Sequence, residues 1–89
     1  MVNVSKKYLE KRLKNRIWGG LLKQIKQAKS TDGLKKIFSR KLTPKEMTMI
    51  EKRLAIDFLL RQGVRHNEIK RRLDVSSHTI SFVKNGLQR

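Results

Sequence analysis

Two sets of side chains near the C-terminal end of this 89-residue chain have the chemistry to recognise a polyanion that carries a pattern. The first is Ser77, His78, Ser81, Phe82 and Asn85. Hydroxyl, imidazole and amide groups donate and accept hydrogen bonds, and a phenyl ring offers apolar contact. The second is Arg65, His66, Asn67, Lys70, Arg71, Arg72 and Lys84. Cations and neutral donors of this kind bind phosphate oxygens. Nothing comparable points to catalysis. His66 and His78 stand twelve residues apart with no neighbouring carboxylate pair, and there is no cysteine and no glycine-rich phosphate loop. No catalytic residue, metal site or cofactor is therefore expected, and the chain does not read as an enzyme.

The elements that would position these residues lie in Val64–Leu87. Ile69 and Leu73 are four apart and share one helical face. Asp74-Val75-Ser76 interrupts the pattern. Asp tolerates the left-handed backbone that such a turn often needs, Val75 can plug the angle between two helices, and Ser76 is an N-cap candidate. Ile80, Val83 and Leu87 then recur as a second apolar stripe. Two short helices joined by a tight turn form a helix-turn-helix, whose second helix enters the DNA major groove. With Ile80, Val83 and Leu87 inward, His78, Phe82 and Asn85 point oppositely, with Ser81 to one side and Ser77 near the entry. These five are the expected base readers. Phe82 has three readings at this level: contact with thymine methyls, packing on a partner, or packing on the third helix if the wheel is rotated. The seven cationic and polar residues of the second set are the expected phosphate contacts, since the first helix of the motif crosses the DNA backbone.

The composition of the whole chain agrees with an anionic partner. Twenty-three Lys and Arg face seven Asp and Glu, a formal charge of +16. Such an excess favours duplex DNA, RNA or an anionic membrane surface. Hydrophobic residues are 37% and aromatics 6%, so the core is small and oligomerisation is a natural remedy. The absence of cysteine excludes disulfides and thiolate metal sites. No apolar run approaches the roughly 20 residues of a membrane span, and MVNVSKKYLEKRLKNR contains no secretory apolar segment. A cytoplasmic protein of bacterial type, associated with the nucleoid, is expected.

In chain order, residues 3–29 read as one long helix, capped by Asn3 or Ser5. Val4, Leu9 (or Tyr8), Leu13, Ile17, Leu21, Ile25 and Ala28 form its stripe, widened by Tyr8, Trp18 and Leu22. Leu9, Leu13, Ile17, Trp18, Leu21 and Ile25 are the expected core or dimer contacts. Gly19-Gly20 is a flat spot suited to a close helix crossing. The alternative for this segment is a basic amphipathic helix on a membrane. Ser30-Thr31-Asp32-Gly33 is a break, and Leu34, Ile37 and Phe38 make a short helix ending near Arg40. Thr43, Pro44 and Glu46 start the next helix with an N-cap, a first-turn proline and a capping box. Met47, Ile50, Leu54, Ile56 (or Asp57) and Leu60 form its inner side, with Phe58 and Leu59 broadening it, and Gln62-Gly63 ends it. The expected fold is all-α, with five helices and a sixth allowed. The expected organisation is a single domain over 1–89, in which 3–40 dimerise and 43–89 bind DNA.

From Leu42 on, LTPKE…KRLAIDFLLRQG…EIKRRLDVSSHTIS resembles the tryptophan-repressor superfamily. The matching residues are Leu42-Thr43-Pro44, Glu46, Arg53-Leu54, Ile56, Leu60, Gly63, Glu68-Ile69, Leu73 and Thr79-Ile80-Ser81. The chain is more similar to the small helix-turn-helix regulators of that superfamily than to the tryptophan repressor itself. The resemblance implies an intertwined homodimer and a palindromic operator with half-sites about one helical turn apart. It also implies a corepressor site between two arginines. Arg53 matches the first and Thr43 a neighbouring ligand contact, but Phe82 falls at the second, followed by Val83 in place of a glycine. A phenyl ring cannot pair with a carboxylate, so tryptophan is not expected as a cofactor.

The leading expectation is thus a homodimeric, sequence-specific DNA-binding regulator, most simply a repressor. A non-specific architectural DNA or RNA binder is the alternative, and a membrane-surface or protein-interaction bundle is the third class.

Overall fold

The signal from Thr43 to Glu46 becomes a complete capping box. The Thr43 Oγ1 accepts from the Glu46 N–H at 3.1 Å, and Glu46 Oε1 accepts from the Thr43 N–H at 2.8 Å. Pro44 occupies the first helical position, where no N–H is needed. A computed structural model describes residues 9–88, and all regular structure among them is helical. The helices are α1 (Lys11–Gln27), α2 (Thr31–Ser39), α3 (Pro44–Arg61), α4 (His66–Leu73) and α5 (Ser77–Leu87). They group into two compact units that divide between Lys41 and Leu42.

In the first unit α1 packs on α2. Leu21, Ile25, Ala28, Ile37 and Phe38 are half-buried there, and no side chain of either helix is fully buried. Ser30 caps α2 by accepting from the Gly33 N–H at 3.0 Å. A Cβ on Gly33 would come within 3.3 Å of that same hydroxyl oxygen, so the bare glycine leaves the cap its room. Lys41 closes the unit, donating to Gln24 Oε1 and to the Ile37 carbonyl, each at 3.3 Å.

The expected helix over 3–29 is shorter. Leu9 and Glu10 are non-helical, Glu10 provides no side-chain cap, and residues 3–8, with Asn3, Val4, Ser5 and Tyr8, lie outside the described residues. Leu9 is exposed, so it contributes no burial to offset the cost of ordering another turn. Asp32 and Gly33, read as part of a break, belong to α2, because the Ser30 cap starts the helix at Thr31.

In the second unit α3 packs against both α4 and α5, and α4 against α5. Its core is Ile56, Leu59, Ile69 and Ile80, with Leu60, Val64, Leu73, Val75 and Val83 packed around it. α3 ends as Gly63 enters the left-handed region at φ 81. The Gly63 N–H then bonds the Leu60 carbonyl and the Val64 N–H the Leu59 carbonyl, both at 3.0 Å. This paired closure satisfies two carbonyls at the helix end and turns Val64 onto the core.

The inner side expected for α3 is corrected. Ile56 and Leu59 are the buried pair, whereas Leu54 is 62% exposed and Ile50 is also exposed. Phe58, read as broadening the buried face, is 62% exposed. The helix is apolar on two sides. Taking 100° per residue, Met47, Ile50, Leu54 and Phe58 lie roughly opposite Ile56, and α4 and α5 cover only the Ile56 side. Leu87, expected inward on α5, is 41% exposed at the last position of the helix, where no following turn shields it.

Two stability outcomes follow at fixed protein concentration. Ile69→Ala removes a fully buried side chain from a four-residue core and should cost about 2–5 kcal/mol, read as a lower denaturant midpoint. Thr43→Ala should cost about 1 kcal/mol by breaking the capping box, and Thr43→Ser should restore most of it.

Candidate nucleic-acid interface

The interface candidate is built on one backbone feature. Asp74 sits at φ 52, ψ 55, the left-handed conformation that reverses the chain between α4 and α5. Aspartate tolerates this region better than most side chains. The turn is held on three sides. Val75 is half-buried against the core. Ser76 accepts from the Thr79 N–H at 3.2 Å, and its hydroxyl lies 3.0 Å from that of Thr79. From α3, the Lys52 ammonium reaches the Asp74 carbonyl at 3.5 Å, the long limit of a hydrogen bond.

Beneath the turn, Ile69 of α4 and Ile80 of α5 are both fully buried with Ile56 of α3. With Ile80 inward, the helical repeat turns Ser81, Asn85, His78 and Phe82 to an outer arc of about 100°. Ser77, His78, Ser81, Phe82 and Asn85 are all exposed, so α5 does present the five proposed readers to the surface. On α4 and its approach, Arg65, Asn67, Lys70, Arg71 and Arg72 are exposed, as is Lys84 on α5. His66 differs, being half-buried at the first position of α4. Arg71 is held by Glu68 in an ion pair one helical turn away. Exposed pairs of this kind contribute little to stability.

Phe82 is not simply outward. It remains 48% exposed, but the Arg53 guanidinium carbon of α3 stands 4.7 Å from its ring centroid. This is cation–π distance. Of the three readings open for Phe82, packing toward the third helix has direct support. Sequence periodicity missed this stacking because its partners are far apart along the chain and no local spacing links them.

Arg53 also borders a shallow open cleft of about 250 Å³ with Met49, Lys52, Asp74, Val75, Ser76 and Thr79. Lys52 is the residue that sequence reasoning overlooked. It reads as a surface cation on α3, yet it lies beside the turn it helps to hold. Thr43, the other residue matched to a ligand contact, uses its hydroxyl in the capping box.

Leu9, Leu13, Ile17 and Trp18 are exposed, Trp18 by 67%, and only Leu21 and Ile25 of the predicted core or dimer set are half-buried. Within this chain the first four are not core residues. Ile17, Trp18 and Leu21 instead line an apolar surface cleft with the stem of Lys41. Gly19 and Gly20 have open space where a Cβ would project, so α2 does not cross α1 there. Among the described residues no cluster of His, Asp or Glu has the makings of a metal site, and no helix is long and apolar enough to cross a membrane.

A search of curated proteins and a search of solved structures each return no significant match. The family model described as Trp repressor protein does match, over residues 16–89, which takes in most of α1 and all of α2 to α5. That family consists of DNA-binding regulators rather than enzymes. The match and the all-helical architecture together place this chain in the Trp repressor family.

Proposed function

We propose that this chain is a sequence-specific transcriptional regulator that acts as a homodimer, inserting α5 into the DNA major groove, most simply to repress. The observation that carries the reading is the exposed face of α5 above a fully buried isoleucine clasp. A rigid helix with hydroxyl, imidazole and amide groups outward is suited to base edges. Ser77, His78 and Ser81, near its N-terminal end, read bases, with Asn85 further along. Phe82 contributes its exposed ring edge while Arg53 covers part of its face. Arg65, His66, Asn67, Lys70, Arg71, Arg72 and Lys84 bind phosphates and set the register without reading sequence.

The dimer rests on apolar surface that the described chain leaves open. Leu13, Ile17, Trp18 and Leu22 on α1, and Ile50, Leu54 and Phe58 on α3, are all exposed. Side chains of this size on two helices mark an interaction surface, and a second copy is the partner the family reading calls for. On this reading α3 is buried on both sides, by α4 and α5 within the chain and by the partner on its Leu54 side. The sequence division into a dimerising 3–40 and a DNA-binding 43–89 then describes two roles within one assembly.

Tryptophan is not the effector on this reading. Phe82 supplies no second cation for a carboxylate and stacks on the one arginine present. The alternative, a non-specific DNA or RNA binder, draws its support from the +16 charge.

Selection of bound sequences from a random DNA pool should return a palindrome with half-sites about one helical turn apart. A pool that stays random would refute the specific reading and leave the non-specific one. Against the selected site, His78→Ala should weaken specific binding more than non-specific binding, whereas Arg71→Ala should weaken both about equally. Leu54→Asp should halve the solution mass while leaving the helical signal of the second unit, since Leu54 lies outside its core. A variant that keeps the wild-type mass argues against that interface. Calorimetric titration with tryptophan should give no heat, and micromolar binding would contradict the assignment of Phe82.

A further inference from the structure

The charge is not where the helix-turn-helix is. Thirteen of the 23 Lys and Arg, but only two of the seven Asp and Glu, fall in residues 1–41. That is an excess of eleven positive charges, against five for residues 42–89. The unit that carries the base-reading helix is the less basic of the two.

On α1 this charge is organised. The helix contains no acidic residue. At 100° per residue, Arg12, Arg16, Lys23 and Lys26 fall within an arc of about 80°, away from the side of Ile17, Leu21 and Ile25. All four are exposed, and none makes an ion pair among the described residues. Leu21, Ile25 and Ala28, which pack toward α2, lie on the other side, so the basic arc stays open to solvent within this unit. From Arg12 to Lys26 the arc runs about 21 Å, over which one DNA strand presents about six phosphates. Gly19 interrupts the arc and Gly20 borders it, and neither would meet another atom if it carried a Cβ. Between the two pairs of cations the helix surface is therefore low and unobstructed.

We infer that the Arg12–Arg16–Lys23–Lys26 face of α1 is a second nucleic-acid contact, binding the phosphate backbone of duplex DNA without regard to sequence. It lies outside the helix-turn-helix and goes beyond the operator reading. Its cations neutralise phosphates and release counterions, which raises affinity for any duplex. The arc itself holds no amide or hydroxyl side chain suited to base-edge readout, and only Asn15 and Gln27 border its two margins. A lipid surface is less well matched: the apolar residues of an interfacial helix must enter the bilayer, whereas here Leu21 and Ile25 are half-buried and the proposed second copy covers Leu13, Ile17, Trp18 and Leu22.

The test uses the full chain and a variant carrying Arg12→Gln, Arg16→Gln, Lys23→Gln and Lys26→Gln. Glutamine matches Lys and Arg in helix propensity, so the fold is retained, and circular dichroism checks it. If the fourfold variant misfolds, the pair Arg16→Gln and Lys23→Gln replaces it. Binding to a random-sequence duplex is followed by fluorescence anisotropy across a salt series. The slope of log affinity against log salt should fall by about two to four units, at about 0.9 for each phosphate no longer neutralised. The preference for a selected sequence over the random duplex should be kept or rise. A slope equal to that of the wild type overturns the inference and leaves the regulator reading intact. A wild type without sequence preference, but with a slope that falls in the variant, defeats the regulator reading and leaves this surface standing. Tighter wild-type binding to phosphatidylserine vesicles than to duplex, abolished in the variant, would assign the face to a lipid surface and overturn the DNA proposal.

Discussion

The second unit depends on burying three isoleucines from three helices around one left-handed residue. Ile56, Ile69 and Ile80 are each fully inaccessible, and Asp74 makes the reversal that lets α4 and α5 bring the last two together. A residue at φ 52 is uncommon outside glycine and costs free energy unless the surroundings hold it. Here Val75 packs below it, Ser76 caps α5 beside it, and Lys52 reaches its carbonyl from α3. Each interaction is modest, but all act on the same three residues. The angle between α4 and α5, and so the direction in which the face of α5 points, is set by packing and not by hydrogen bonds to solvent.

Because the core is so small, the remaining apolar surface carries information. α3 spends Ile56 and Leu59 on α4 and α5 and leaves Ile50, Leu54 and Phe58 exposed. A helix that is apolar around most of its circumference is ordinarily buried around most of its circumference. The proposed second copy supplies what the chain lacks on that side, and it explains how a sequence with 37% hydrophobic residues supports a regulator fold. Charge separates in the same manner. The larger excess of positive charge lies in residues 1–41, where on the proposed reading it adds affinity for a duplex without adding sequence information.

The Arg53–Phe82 stack joins two positions that the family resemblance links to ligand binding, but with different chemistry. Two arginines would hold an anionic ligand between them. An arginine and a phenyl ring can satisfy one another, through the face of the ring, with no third molecule. The same stack ties α5 to α3 outside the isoleucine core. It thereby constrains α5 by an interaction internal to the chain.

Local chemistry is legible in the sequence. The Thr43–Glu46 box, the Gly63 stop, the Ser76 cap and the Asp74 turn depend only on residues within four or five positions of one another, and each formed as the residue types predict. The two short helices α4 and α5 were readable for the same reason, since Ile69 and Leu73, then Ile80 and Val83, recur at helical spacing. Periodicity failed where it had two answers. On α3 both the Ile56 side and the Leu54 side satisfy a 3.6-residue repeat, and only the packing of α4 and α5 decides which one the chain itself buries. It also failed at helix ends, where Leu9 and Leu87 match a stripe but find nothing to cover them. The pairing of Arg53 with Phe82 had no local signature at all. Sequence determines what each segment can form within a few turns, because those interactions have fixed spacing; which apolar face is buried, and which distant side chains meet, is decided only when the helices pack.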